Sequence, residues 1–301
     1  MPRRKRKKRI VKAVVACTCL TGAASATAQT GRGDRESKKL TWDYARVRPS
    51  EEAATALLVG GAVLAQYTLK NDGSPNWRGG ILFDGAASSF VRPDDSAARN
   101  RAAHVSDMML YGMIAFPYLD AGGAWGLRGS SDVAGQMALI NTESFAVTGF
   151  VTQLVKGLVK RERPWVGRCA GSNDPACVGS DSFLSGHTSM TFTSAGLTCA
   201  HHEALSLYGN AAADAGVCVA ALGVAATTGA LRVVADKHYA SDVFAGAALG
   251  LASGYLLPKL LHYSGRERDK HESRKGPPSV AWSAAPSPTR GGAVMSVQAV
   301  F

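Results

Sequence analysis

Beyond residue 50, the 301-residue chain is a succession of long, alanine-rich apolar segments broken by glycine, proline or charged residues. The segments span 52–69, 96–118, 132–160, 187–206, 211–232 and 241–261. All are longer than a typical strand, and Ala and Leu are good helix formers, so the pattern predicts an all-α, multi-helix bundle. Strand-like alternation is confined to the end of the chain. There, 279–284 and 294–301 flank a Pro/Gly-rich stretch and predict a short C-terminal β-hairpin. No internal repeat is visible.

Two of the segments, 52–69 and 211–232, approach the roughly 20 apolar residues that cross a bilayer. Others carry Asn141, Glu143, Gln153, His201, His202 and Glu203, which are costly in lipid. The reading preferred on this balance is a compact exported bundle, with a membrane-docked or inserted form as the alternative.

The net charge of +11 changes meaning once it is located. Eight of the cations lie from Arg3 to Lys12, seven of them ahead of a modest apolar run over 10–24 that is followed by the small-residue triplet Ala26-Thr27-Ala28. Basic start, short apolar middle and A-x-A end describe a secretory signal peptide. Its removal leaves +3, which calls for no nucleic-acid partner. The expected organisation is a signal peptide over 1–28, a flexible lead-in over 29–50, a helical domain over 51–265 and a tail with the hairpin over 266–301. The expected location is the periplasm. Cys17, after Val14-Val15-Ala16, makes only a faint lipoprotein box. The mature chain keeps Cys169, Cys177, Cys199 and Cys218, an even number that suggests bridges in an oxidising compartment. Cys169 and Cys177 bracket one loop. Cys199 and Cys218 would stand at similar heights if their segments form an antiparallel hairpin.

Three stretches carry candidate chemistry. Lys156 and Arg163-Pro164 are two helical turns apart, so two cations can project from one face toward a phosphate. Pro164 is expected to end that helix. Ser185-Gly186-His187 opens a helical pattern, where free N–H groups and a missing Cβ make an anion cradle. His187 is placed to donate a proton to a departing oxygen. In the third stretch, His238 and Asp242 are four apart, neighbours on one helix face, and Arg232 adds a third cation. A carboxylate on one imidazole nitrogen leaves the other as a nucleophile. Each stretch alone is better explained by an ordinary solvent-facing or capping role. His201-His202-Glu203 is not a metal site by spacing, because adjacent helical positions diverge by about 100°. Glu203 and Asp214 read as solvated, His262 shows no partner pattern, and Asp236 and Lys237 have no assigned role.

Taken together the three stretches resemble the type 2 phosphatidic acid phosphatase superfamily, which shares its site with bacterial acid phosphatases and vanadium haloperoxidases. Two positions depart from the family signature: Leu184 stands for a Pro and Leu231 for a Ser. The resemblance implies the helical fold of that superfamily and a metal-independent phosphatase. In that scheme His238 attacks phosphorus, Asp242 stabilises the imidazolium, and His187 is the acid and then the base. Lys156, Arg163, Arg232, Ser185 and the Gly186 N–H hold the phosphate oxygens. Expected substrates are phosphate monoesters or diphosphates, with lipid phosphates favoured and membrane contact expected. No cofactor is implied, and vanadate enters only if the chain is a haloperoxidase. The alternatives are a soluble acid phosphatase of broad specificity, that haloperoxidase, or an inactive helical binding protein.

Overall fold

The computed structural model describes residues 40–69, 74–168, 178–265, 281–289 and 292–300. Its helices are α1 (Pro49–Thr68), α2 (Asp84–Val91), α3 (Ser96–Gly126), α4 (Ser131–Val159), α5 (Gly186–Leu205), α6 (Ala211–Val234), α7 (Ala240–Leu251) and α8 (Leu257–Leu261). A π-helical turn, Ala252–Leu256, joins α7 to α8. The C-terminal hairpin is present: β1 (Ala281–Thr289) pairs antiparallel with β2 (Gly292–Val300). The fold class is all-α with this terminal hairpin.

Helix α5 is the axis of the bundle and packs against α3, α4, α6 and α7. Every residue from Thr193 to His202 is buried, as expected of a helix surrounded on all sides. Many of these residues are hydroxylic, and the helix satisfies them itself. Thr191, Thr193 and Thr198 return their hydroxyls to the carbonyls of His187, Ser189 and Ser194 at 2.8–2.9 Å. Across the interface, Thr148 Oγ1 and Thr193 Oγ1 share a hydrogen bond of 2.7 Å.

Two departures from the sequence reading have clear causes. Helix α3 runs two turns past the expected end at 118, through Pro117. Proline cannot donate to the carbonyl four residues back. That carbonyl, Met113 O, accepts instead from the buried Ser194 hydroxyl, while Pro117 O accepts from Asn141 Nδ2 at 3.0 Å. The expected lead-in over 29–50 is also not wholly outside the fold. Trp42 is buried in the core cluster of Ala121, Val133, Met137, Ile140, Leu197 and Tyr263, with Leu40, Tyr44 and Val47 against it. Helix α2 was not foreseen, being only eight residues long.

A disulfide joins Cys199 on α5 to Cys218 on α6, as the hairpin geometry predicted. Cys169 and Cys177 lie outside the described residues.

Much of the outer surface is apolar. Leu57, Leu64 and Tyr67 on α1, Met108, Tyr111 and Leu119 on α3, and Val219 on α6 are all exposed. Ala211–Val234 and Ala240–Leu261 are each long and apolar enough to cross a membrane. Only 33% and 28% of their most apolar windows are buried inside the protein.

The tightest contact lies between α5 and the α7–π segment. Gly246, Gly250 and Gly254 recur every four residues, one face of a helix. A methyl group at Gly246 would lie 2.8 Å from Ser185 O, and one at Gly250 or Gly254 would collide with the carbonyls of Ser189 or Thr193. No L side chain fits there without parting the helices. We therefore expect Gly254→Ala to lower stability by about 1–3 kcal/mol, the usual cost of overpacking. Thermal unfolding beside Gly223→Ala, where an added methyl meets nothing within 4 Å, checks this.

Candidate active site

The α5–α7 contact brings the start of α5 against the start of α7, and Ser185 N donates to Asp242 O at 3.2 Å. His238 stands in the short connection between α6 and α7. Its Nδ1 is 2.8 Å from the Ser182 carbonyl oxygen, which can only accept, so Nδ1 carries the proton and Nε2 the lone pair. The sequence reading gave that orienting role to Asp242, and the geometry corrects it: Asp242 Oδ2 is 3.7 Å from Nδ1. The Asp242 carboxylate instead accepts from the Ser182 hydroxyl at 2.6 Å, from Tyr239 N at 2.9 Å and from Arg161. It acts on His238 through charge and through Ser182.

Arg161 organises this corner. Its guanidinium is fully buried between the rings of Trp77 and Tyr239, 4.0 Å from each centroid. Nη1 reaches Asp242 Oδ1 at 2.5 Å and Ser241 Oγ at 2.8 Å, and Nη2 reaches Asp84 Oδ2 at 2.8 Å. Asp84 in turn accepts from Ser241 N at 2.8 Å. Two carboxylates, two ring faces and several hydrogen bonds compensate one desolvated cation, the condition under which a buried charge is tolerated. The neighbouring backbone is equally pinned, since Ser182 N donates to Arg161 O and Arg163 N to Gly179 O, both at 2.9 Å.

Lys156 and Arg163 do converge, though not from one helix. Helix α4 ends at Val159 with Lys160 in the left-handed region (φ 44°), before Pro164 is reached. The convergence point is Asp181. Arg163 Nε and Nη2 each contact its carboxylate at 2.6 Å, and Lys156 Nζ lies 3.7 Å away. Burial lowers the Lys156 pKa to about 8, with Asp181 opposing. Arg232 is within the last turns of α6 rather than beyond it. Its Nη1 bonds Ser106 Oγ at 3.1 Å and Asp107 Oδ1 at 3.0 Å, and its buried Nε has no acceptor among the described residues.

Ser185 is the N-cap of α5, yet its hydroxyl pairs with Thr188 Oγ1 at 2.8 Å and caps no backbone N–H. The first N–H groups of α5 therefore keep their donors, as an anion site requires. At Gly186, a Cβ would come within 3.8 Å of Lys156 Nζ, so the glycine backbone and that cation face one another. His187 Nε2 meets Asp107 Oδ1 at 2.7 Å.

Burial, followed by the charges of Arg163, Lys156 and Arg232, pushes the His238 pKa well below its ordinary value. The imidazole is therefore held neutral, the form with a free lone pair. Burial and Arg232 lower His187 to about 4, against the raising effect of Asp107. All eight candidate residues thus gather at one end of the bundle. Asp107, Asp181, Arg161, Ser182 and Asp84 join them without having been anticipated. Arg161 could have been suspected from its place two residues before Arg163, whereas Asp107, on α3, has no local signal.

His201, His202 and His262 belong to the opposite end of α5. His201 bridges Asn141 Oδ1 (2.8 Å) and Tyr263 Oη (2.6 Å), His202 pairs with Asp214 (2.7 Å), and His262 with Glu143 (2.7 Å). Asp214 is buried, not solvated, and His262 does have a partner. No group of three or more potential metal ligands occurs among the described residues.

Three cations whose charges all reach His238, backbone N–H groups left free at the start of α5 and a neutral imidazole thus occur in one region of the bundle. Residues 138–266 match the family model of the PAP2 superfamily, which assigns that segment to the family its motifs resemble and supports a phosphoric ester hydrolase. Among solved structures, a transmembrane PAP2-type phosphatidylglycerolphosphate phosphatase from Bacillus subtilis is similar at 19% identity, over 70% of this chain and 94% of that one, with a TM-score of 0.43. A search of curated proteins finds no match.

The His187–Asp107 contact makes a direct prediction. Histidine NMR should show His187 titrating near 4. Asp107→Asn removes the carboxylate that holds the proton on, so the pKa should fall further, by about 0.5–1 unit for a partly exposed charge. A rise would reverse the sign of this interaction.

Proposed function

We propose that this chain is an exported phosphatase that cleaves phosphate monoesters or diphosphates of lipids through a phosphohistidine, without a metal. The observation that carries the reading is the protonation state fixed on His238, with Nδ1 on the Ser182 carbonyl and Nε2 left for phosphorus.

In this mechanism Nε2 attacks phosphorus as the bond to the leaving oxygen breaks. Lys156, Arg163 and Arg232 meet the equatorial oxygens, and the Arg232 Nε–H gains the acceptor it lacks among the described residues. The α5 N–H groups at Gly186 add neutral donors. His187, protonated, gives its proton to the leaving alkoxide and then takes one from the water that cleaves the P–N bond. The imidazolium formed at His238 is stabilised by Asp242 at 3.7 Å, across a buried and therefore weakly screened gap. A dianionic phosphate raises the affinity of His187 for its proton, offsetting the cations that lower it.

Support for a lipid substrate comes from the surface beside the pocket. Leu82 and Phe90 are 87% and 91% exposed, on and next to α2. Phe83 and Phe244 stack edge to face at 5.6 Å and stay largely open to solvent. An exposed apolar patch of this kind marks a surface for apolar partners, and here it adjoins the Asp84–Ser241–Arg161 corner. With the apolar outer faces of α1, α3 and α6, it suits a pocket presented to lipid.

His238→Ala should reduce turnover of a chromogenic phosphate ester at least ~10³-fold, as expected for loss of a nucleophile. Rapid quenching with ³²P-labelled substrate should trap an acid-labile phosphoprotein in the wild type alone. Full turnover by His238→Ala, or activity abolished by chelator, would remove this mechanism. Separately, Leu82→Ser combined with Phe90→Ser should lower the rate on phosphatidic acid in vesicles by about tenfold relative to the rate on a soluble ester. Equal effects on both would place the substrate in water.

A further inference from the structure

Beside the phosphate-binding cations lies a second recess of about 310 Å³ whose residues the mechanism above does not use. Its wall is Arg92, Arg99, Trp165, Arg168, Asp236 and Lys237. Trp165 directly follows Arg163-Pro164 and Lys237 directly precedes His238, and the charges of Arg163 and Arg232 reach Lys237, so the recess neighbours the candidate site.

Four cations face one carboxylate here. Asp236 is buried, with φ 61° in the left-handed region that aspartate tolerates better than most residues. It clamps Arg92 Nε at 3.0 Å and Arg168 Nη2 at 2.9 Å. Arg99 donates to the carbonyls of Pro93 and Asp94, at 2.9 and 2.8 Å, which fixes its position without neutralising it. The nearby Asp95 carboxylate is already engaged, capping α3 at Ala97 N and Ala98 N. Lys237 makes no ion pair among the described residues and lies 5.7 Å from the centre of the Trp165 ring. The Trp165 indole N–H is buried and has no acceptor among the described residues. A fixed surplus of positive charge, with a spare N–H, is costly unless an anion offsets it.

We propose that this recess binds a second anionic group carried by the leaving portion of the substrate, so that the enzyme prefers phosphate esters or anhydrides whose leaving group bears its own phosphate or carboxylate. Arg99 and Lys237 receive that group, Asp236 holds Arg92 and Arg168 in place behind them, and the Trp165 indole N–H supplies a neutral donor. Arg163 and Arg232 support the assignment from the other side, because their charges, after burial, make it harder for Lys237 to keep its proton. An anion spanning both pockets relieves that repulsion at once. The proposal rests on the phosphate-pocket reading, and the size of the recess, at the lower end of small-molecule sites, suits a compact charged group rather than an acyl chain.

The test is calorimetric binding to the full chain, which does not depend on turnover. Methylphosphonate is compared with a series of α,ω-diphosphonates having one to four methylene spacers, in wild type, Arg99→Gln and Lys237→Gln. At least one diphosphonate should bind wild type about tenfold more tightly than methylphosphonate, and either substitution should bring that ratio to within about twofold of unity. Equal affinity for mono- and diphosphonates, or a preference that survives both substitutions, would overturn the subsite. Hydrolysis of a chromogenic monoester, measured on the same wild-type sample, reports on the phosphatase reading independently. A protein that turns the ester over yet shows no diphosphonate preference loses only the subsite.

Discussion

The close approach of α5 and α7 is the constraint on which the site depends. Glycines at 246, 250 and 254 let backbone meet backbone along two turns, and the carbonyls they admit belong to Ser185, Ser189 and Thr193. Stripes of small residues let helices approach this closely wherever side chains would hold them apart. The consequence here is positional. With α5 and α7 in that register, the N-cap of α5 donates to the first turn of α7, and the carbonyl of Ser182 falls on His238 Nδ1. A shift of one residue would rotate either helix by about 100° and dissolve both contacts. The anion cradle and the imidazole are thus set by the same packing.

Around that contact the charges are arranged in two shells with different jobs. Arg161, Asp84 and Asp242 form a closed, buried set in which every charge has a partner, so it resists change and fixes the backbone of 161–163 and the start of α7. The outer set is only loosely compensated. Among the described residues, Lys156, Arg163 and Arg232 are paired with Asp181 and Asp107, both partly open to solvent. Rigidity from the first set fixes the backbone that carries Arg163, so that cation keeps its place while its partner Asp181 stays partly open to solvent.

The sequence made the helices legible because length and composition are local properties. Its six apolar segments correspond to α1, α3, α4, α5, α6 and the α7–α8 run, and the terminal alternation to the hairpin. Where it misled, a distant partner decided the outcome. Pro117 failed to end α3 because Ser194, far along the chain, takes up the freed carbonyl. Residues 40–48 read as a lead-in because one tryptophan among polar neighbours gives no period, and only the pocket around Tyr263 explains its burial. Among the site residues, motif spacing located the cations, the α5 turn and the two histidines. It could not reveal that His238 Nδ1–H donates to Ser182 O rather than to Asp242, because the acceptor is a backbone carbonyl, which every residue possesses. Asp107 and Arg161 were hidden for the opposite reason: one is isolated in sequence, and the other sits in a run of charges that looks like solvated surface.

Asp181 shows how such a pocket holds its own charges in balance. Its carboxylate lies across the Nε–Nη2 edge of Arg163 and near Lys156, the same edge geometry by which a guanidinium grips two phosphate oxygens. Burial opposes the Asp181 anion, but the Arg163 and Lys156 charges outweigh it and keep the carboxylate ionised well below the ordinary range. On the proposed reading an incoming anion outbids a carboxylate already in place, which a dianionic phosphoryl group does by charge where a carboxylate or sulfate ester, with one charge, gains little. Selection for phosphate then needs no shape-reading of the phosphoryl group. The competition is then between two internal carboxylates, Asp181 on Arg163 and Lys156 and Asp107 on Arg232, and the two charges that a phosphoryl group brings to the same cations.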